Sequence, residues 1–129
     1  MFQDLLKSNP QSPRLNYYLG DVLLKLQSPE EALPFLTRAT HNDPGLLRAQ
    51  ASLANTYLAL AQSEKAIPHL KAALSIDEDG SLHYQLGVAY RVRGQMELAR
   101  QTLQQYQKIH AQQEKEKQSL NRDIKITAP

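Results

Sequence analysis

The feature that most constrains this chain is that it repeats itself. Displaced by 34 residues, the sequence lays Arg14 on Arg48, Leu19 on Leu53, Leu24 on Leu58, Leu26 on Leu60 and Glu30 on Glu64. The same displacement lays Ala32 on Ala66, Pro34 on Pro68, Leu36 on Leu70, Ala39 on Ala73 and Asp43 on Asp77. Displaced by 33 from the middle unit, Leu53 falls on Leu86, Tyr57 on Tyr90, Gln62 on Gln95, Glu64 on Glu97, Ala66 on Ala99, Leu70 on Leu103 and Ile76 on Ile109. The lost residue belongs to the loop near Asp77 to Gly80. A period of this length means one supersecondary motif per repeat. Such a motif cannot bury its apolar face alone and is stabilised by stacking on its neighbours.

The punctuation within each unit is helical. Ser12 followed by Pro13 reads as an N-cap with proline at the first helical position. Ser28, Pro29 and Glu31 read as a capping box for a second helix, and Asn42-Asp43-Pro44-Gly45 closes the unit. In the middle unit Ser63 is the expected cap and Asp77-Glu78-Asp79-Gly80 closes. In the third, Arg93-Gly94 makes the inter-helix turn, with glycine at the helix C-terminus. Pro34 and Pro68 fall in the second turn of second helices, where each affects only an early bond, so bent but intact helices are expected.

This helix–turn–helix pattern resembles the tetratricopeptide repeat (TPR). Unit one matches its signature with Leu19-Gly20, Leu23, Ala32, Leu36, Ala39 and Pro44. Unit two matches with Leu53-Ala54, Tyr57, Ala66, Leu70 and Ala73, but has Glu78 at the proline place. Unit three matches with Leu86-Gly87, Tyr90, Gly94, Ala99 and Leu103, but has Tyr106 at the second alanine place. The resemblance implies an all-α fold, an α-solenoid of three TPR-type helix–turn–helix repeats in a right-handed superhelical stack with a long C-terminal helix. The expected divisions are a half repeat or N-terminal cap helix over 1–12, repeats over 13–46, 47–79 and 80–113, and a polar helix extension and tail over 114–129. Phe2, Leu5 and Pro10 match the end of a preceding second helix, which favours an excerpt of a longer array over a stand-alone cap. At the other end, Leu120, Ile124 and Ile126 read as a short β-leaning tail.

The small residues are packing devices. Gly20, Ala54 and Gly87 on first helices, facing Ala32, Ala66 and Ala99 on second helices, let the paired helices approach closely.

In repeats of this family the first helices line a concave groove that contacts ligands. Carried over, the partner-binding positions are Arg14, Tyr17, Tyr18, Asp21 and Lys25 in unit one. They are Arg48, Ser52 and Asn55 in unit two, and Tyr84, Gln85 and Arg91 in unit three. Spacings of three and four put each set on one helical face independently of the family. Tyrosines supply apolar area with a polar tip, arginines grip carboxylates and amides pair with peptide backbone. The carboxylate clamp with which some relatives hold chaperone C-termini is absent, because Tyr17, Asp21, Ser52, Ser81 and Gln85 stand at its positions.

Composition removes other classes. Fifteen basic against thirteen acidic residues, interspersed, give +2 and no basic stripe for nucleic acid. No apolar run approaches the roughly 20 residues of a membrane span, and the N-terminus lacks a signal's apolar segment. These features point to a cytoplasmic location. Cysteine is absent, which excludes disulfides and Cys-ligated zinc. His41, His69, His83 and His110 show no ligand pairing and read as surface residues; no phosphate loop or nucleophile elbow occurs. The expected function is a non-catalytic, cofactor-free scaffold for a protein or peptide partner, with no nucleic acid, membrane or metal involved. The alternatives are self-association through exposed repeat ends and a small secretion-type TPR chaperone.

Overall fold

The structure, a computed structural model, describes residues 2–127, with side chains over 4–124. Phe2 and Ile126, whose side chains the repeat pattern gives places, lie outside that side-chain range. Among the described residues seven α-helices run in order: α1 (Phe2–Ser8), α2 (Pro13–Lys25), α3 (Pro29–Asn42), α4 (Leu47–Ala59), α5 (Ser63–Ala73), α6 (Ser81–Val92) and α7 (Met96–Thr127). A 3-10 turn, Leu74–Ile76, ends α5. The hairpins α2/α3, α4/α5 and α6/α7 stack in chain order, with α3 against α4 and α5 against α6.

Each hairpin turns through the same device. After α2, Ser28 N–H donates to Leu23 O at 2.9 Å and Gln27 N–H to Leu24 O at 3.0 Å. The same pair of bonds recurs as Gln62 to Tyr57 with Ala61 to Leu58, and as Gln95 to Tyr90 with Gly94 to Arg91. These are Schellman motifs, which place one residue in the left-handed region. That residue is Gln27 (φ 64°), Ala61 (φ 58°) and Gly94 (φ 79°) in turn. The repeat thus imposes a glycine-type conformation on two residues that have side chains.

Ser12 caps α2 as expected, accepting from Leu15 N–H at 3.3 Å. The other two expected caps do not form. Ser28 makes no side-chain cap bond, and Ser63 is already the first residue of α5. The Schellman turn sets the geometry there, since its residue following the left-handed position leads directly into the next helix. Pro34 and Pro68 sit within continuous helices.

The expected β-leaning tail is also absent, since α7 remains helical to Thr127. No glycine or proline lies between Met96 and Thr127, so nothing breaks a run rich in Gln, Glu and Lys. Side-chain pairs Glu97–Arg100, Gln112–Glu116 and Glu114–Lys117 span single turns of it. Among the described residues there is no strand.

The core follows the repeat. Ala32, Leu36 and Leu53 form one buried cluster; Ala54, Ala66, Leu70, Ala73, Leu82, Leu86, Ala89, Tyr90 and Ala99 form another. Tyr57 packs against both, so the middle hairpin joins them. A Cβ on Gly20 would lie 2.6 Å from Leu36 Cγ, and one on Gly87 2.6 Å from Leu103 Cγ. Both glycines are therefore required by the close approach of the paired helices.

A second repeated device is polar. Asn16, Gln50 and His83 occupy one repeat position, and each ties its first helix to the loop six residues earlier. Asn16 Nδ2 donates to Pro10 O (3.0 Å), and Gln50 Nε2 to Pro44 O (3.0 Å). In the third unit the residue six before is Asp77 rather than a proline, and His83 donates to its Oδ2 through its backbone N–H (2.9 Å) and Nδ1 (2.6 Å). The remaining acceptors reach second helices, with Asn16 Oδ1 accepting from Arg38 (3.3 Å) and Gln50 Oε1 from His69 Nδ1 (2.7 Å). Because the Gln50 amide nitrogen is committed to Pro44, its oxygen must accept, which places the His69 proton on Nδ1. His69 and His83 are therefore structural and largely covered, not the surface residues their sequence context suggests.

Candidate functional site

The residues expected to line a concave face start at the α2–α4 contact. Tyr17 and Tyr18 lie adjacent on α2 with ring centroids 5.3 Å apart. Tyr17 is half-buried against the Leu36–Leu53 cluster, and Tyr18 is 45% exposed. Burial, followed by the Asp21 charge, pushes the Tyr17 phenol above its ordinary value; Arg48 and Lys25 act in the opposite sense. Tyr17 therefore stays a neutral donor at physiological pH, with Arg48 of the next first helix within its electrostatic reach.

Asp21 is the cross-link between the two helices. Ser52 Oγ on α4 donates to its Oδ1 at 3.1 Å, and Lys25 Nζ lies 2.9 Å from its Oδ2. The hydrogen bond that the Lys25 ammonium donates to Asp21 raises the Lys25 pKa. Arg14 and Arg48 are exposed at the same register of α2 and α4 and make no ion pair among the described residues. Asn55 Oδ1 and Gln85 Oε1 are buried without a hydrogen-bond partner among the described residues.

Two of the expected positions lie elsewhere. Tyr84 packs on Tyr106 of α7, centroids 5.2 Å apart, and Tyr106 in turn stacks on His110 at 5.7 Å. Arg91 opens onto a depression with Met96, Ala99, Arg100 and Leu103 on the outer side of the last hairpin. The structure thus brings Tyr17, Tyr18, Asp21, Lys25, Arg48 and Ser52 together and directs Tyr84 and Arg91 toward α7.

An apolar stripe on α2 extends beyond the expected contacts, joining Val22 and Leu26 to Tyr18. Tyr18, Val22 and Leu26 are 45%, 42% and 68% exposed. Thr56 and Ala89, the repeat equivalents of Val22, are 0% and 1% exposed. The preceding second helix covers those two, whereas α1 matches only the second half of α3 and leaves the end of α2 open. The four-residue spacing of Tyr18, Val22 and Leu26 is the signal that marks the stripe in the sequence.

Among the described residues no helix is long and apolar enough to cross a membrane, and no cluster of His, Cys, Asp or Glu could hold a metal.

Comparison with known proteins agrees with the helical-repeat fold. Solved structures of MamA superpose on the chain. MamA 41-end from Desulfovibrio magneticus RS-1 does so with TM-score 0.74 at 27% identity, over 87% of this chain and 64% of that one. A MamA RS-1 double mutant gives TM-score 0.76 at 27% identity with the same coverage. A further crystal structure of MamA gives 0.76 at 20% identity, over 84% of this chain and 64% of that one, and bears on the fold alone. The chain thus spans just under two thirds of the MamA chains it matches. No curated protein matches it significantly. A tetratricopeptide-repeat profile matches residues 1–46 and 52–114. The chain belongs to the tetratricopeptide-repeat family, whose members are protein-interaction scaffolds.

Proposed function

We propose that the chain captures an extended peptide or partner helix along its first helices, chiefly across α2 and α4, with no chemistry of its own. The observation that carries this reading is the gathering of Tyr17, Tyr18 and Arg48 around the Asp21–Ser52 cross-link where α2 meets α4. Tyr17 and Tyr18 add apolar area with hydroxyl tips, and Arg14 and Arg48 add forked donors. Tyr17→Ala combined with Arg48→Ala should abolish partner retention in a pull-down while leaving the circular dichroism melt cooperative. Undiminished retention by that folded variant would overturn this assignment of the groove.

The open stripe of Tyr18, Val22 and Leu26 favours a second reading. A helix from a neighbouring repeat, or from a second copy, would pack there as α3 packs on α4. Light scattering that rises with concentration, and is suppressed by Val22→Glu plus Leu26→Glu, would support self-association. A monomer at every concentration would refute it.

A further inference from the structure

Resting on the self-association reading above, we propose that the open α2 stripe is covered by the same stripe of a second copy, in a two-fold dimer closed at this end of the stack. The two ends of the stack are unlike. Leu33 on α3 and Ile67 on α5 pack into clusters shared with the first helix that follows, through Leu53 on α4 and through Leu82 and Leu86 on α6. On α7 their repeat position is held by Arg100, which is exposed. Thr40 is buried and Leu74 half-buried, but their equivalent Gln107 is exposed too. The stacking face of α7 is thus polar, as the terminal face of a solenoid must be to stay in water. The face of α2 is not, since Tyr18, Val22 and Leu26 lie open on it.

Charge register argues against joining these two ends head to tail. Within the chain, Glu64 reaches forward to pair with Arg93 of the next unit. The first-unit equivalent of Arg93 is Leu26, and the third-unit equivalent of Glu64 is Glu97. A copy stacked in the repeat geometry before α2 would therefore set Glu97 on Leu26 and Arg100 against the apolar stripe, desolvating charges with no partner there. A two-fold pairing has no such conflict. With α2 crossing its copy antiparallel at Val22, Tyr18 of each protomer meets Leu26 of the other, and four-residue ridges interdigitate. Asp21 and Lys25 are engaged with each other and with Ser52 of α4. Arg14 stands eight residues before Val22, about 12 Å along the helix, so the two copies of Arg14 fall at opposite ends and do not repel.

The chain contains no cysteine, so a single introduced thiol reads this geometry without background. Helix axes about 8–10 Å apart, with Cα atoms about 2.3 Å off each axis, put residues on the two-fold within disulfide reach. Under mild oxidation Val22→Cys should become a disulfide-linked dimer, and mixing it with a size-tagged Gln104→Cys should give no mixed dimer. Light scattering on the wild-type chain should rise with concentration and level off at two copies. Val22→Glu plus Leu26→Glu should return it to one copy, whereas Arg100→Glu plus Gln104→Glu should leave two, with a circular dichroism melt confirming that each variant folds. Mass climbing past two copies, a mixed Val22→Cys and Gln104→Cys dimer, or a dimer that survives Val22→Glu plus Leu26→Glu would overturn the two-fold pairing and leave self-association standing. One copy at every concentration, with Val22→Cys not cross-linked, would overturn self-association as well.

Discussion

In the middle hairpin, Ala54, Ala66, Leu70 and Ala73 have no exposed surface, whereas on the outer half of α7 Leu120 and Ile124 stand 60% and 56% exposed. Both stretches are regular helix. The first is held by neighbours on two sides, through the shared packing of Tyr57 and the tie from Gln50 to Pro44 and His69. The second has Gln113 donating to Glu78 O as a contact with the stack, and beyond it relies on unbroken helix propensity and single-turn side-chain pairs. Regular backbone alone does not show which residues carry stability in a solenoid, because burial differs so sharply between its centre and its ends.

The largest expected effect exploits that contrast. Leu70→Ala removes a fully buried side chain at the centre and should cost about 2–5 kcal/mol in a urea melt. Leu120→Ala should change stability by less than about 0.5 kcal/mol. Equal losses would mean that the α7 extension packs on something the free chain already provides. Next in size is the pair of close approaches. Gly20→Ala and Gly87→Ala both drive a Cβ into a leucine, and overpacking costs typically about 1–3 kcal/mol, less the roughly 1 kcal/mol that alanine gains in a helix. Leu36 is fully buried while Leu103 is only partly so, and the neighbour that cannot yield makes the larger penalty. Gly20→Ala should therefore be the more damaging substitution.

Much of this was legible in the sequence because it depends on period and residue size. The displacements by 34 and 33 located every hairpin, and the small residues marked where paired helices approach closely, but the side chains that Gly20 and Gly87 meet first are Leu36 and Leu103 rather than the alanines expected to face them. Caps at Ser28 and Ser63 were misread because serine before a helix is the ordinary signal, whereas the turn here is closed by backbone bonds alone. The polar ties escaped notice because Asn16, Gln50 and His83 share a position but not an identity, and the partner in two cases is a backbone carbonyl. Spacing put Tyr17 and Asp21 on one face, but it could not show that Ser52 bonds Asp21 or that Tyr84 turns to Tyr106. Those facts depend on how neighbouring hairpins are rotated against each other.

The three inter-helix turns offer a smaller test of the same contrast. Glycine serves the left-handed position in the last turn, while Gln27 and Ala61 hold it in the first two. An L-residue there costs roughly 1–2 kcal/mol, partly offset because glycine loses more freedom on folding. Ala61→Gly should stabilise the chain by up to about 1 kcal/mol, raising the denaturant midpoint with an unchanged slope. Gly94→Ala should do the reverse, and more weakly if the outer hairpin frays independently. Stabilisation by both substitutions would show that the turns do not share one geometry.

The smallest expected effect concerns proton binding at the centre. Burial lowers the His69 pKa below the ordinary 6.5; its ring stacks on Tyr57 at 5.7 Å and donates from Nδ1 to Gln50. The unfolded chain therefore binds this proton more readily than the folded one. Above pH 6.5 both states hold a neutral imidazole and the full stability is present. As pH falls from 6.5 toward the lower folded value, the unfolded state gains protons first and stability declines. The melting temperature of the wild-type chain should thus drop more steeply than that of His69→Asn across this window, with the difference between them isolating His69 from the other three histidines. Parallel profiles would mean that the centre opens enough for the ring to be hydrated, and that the middle hairpin is less firmly held than its buried alanines indicate.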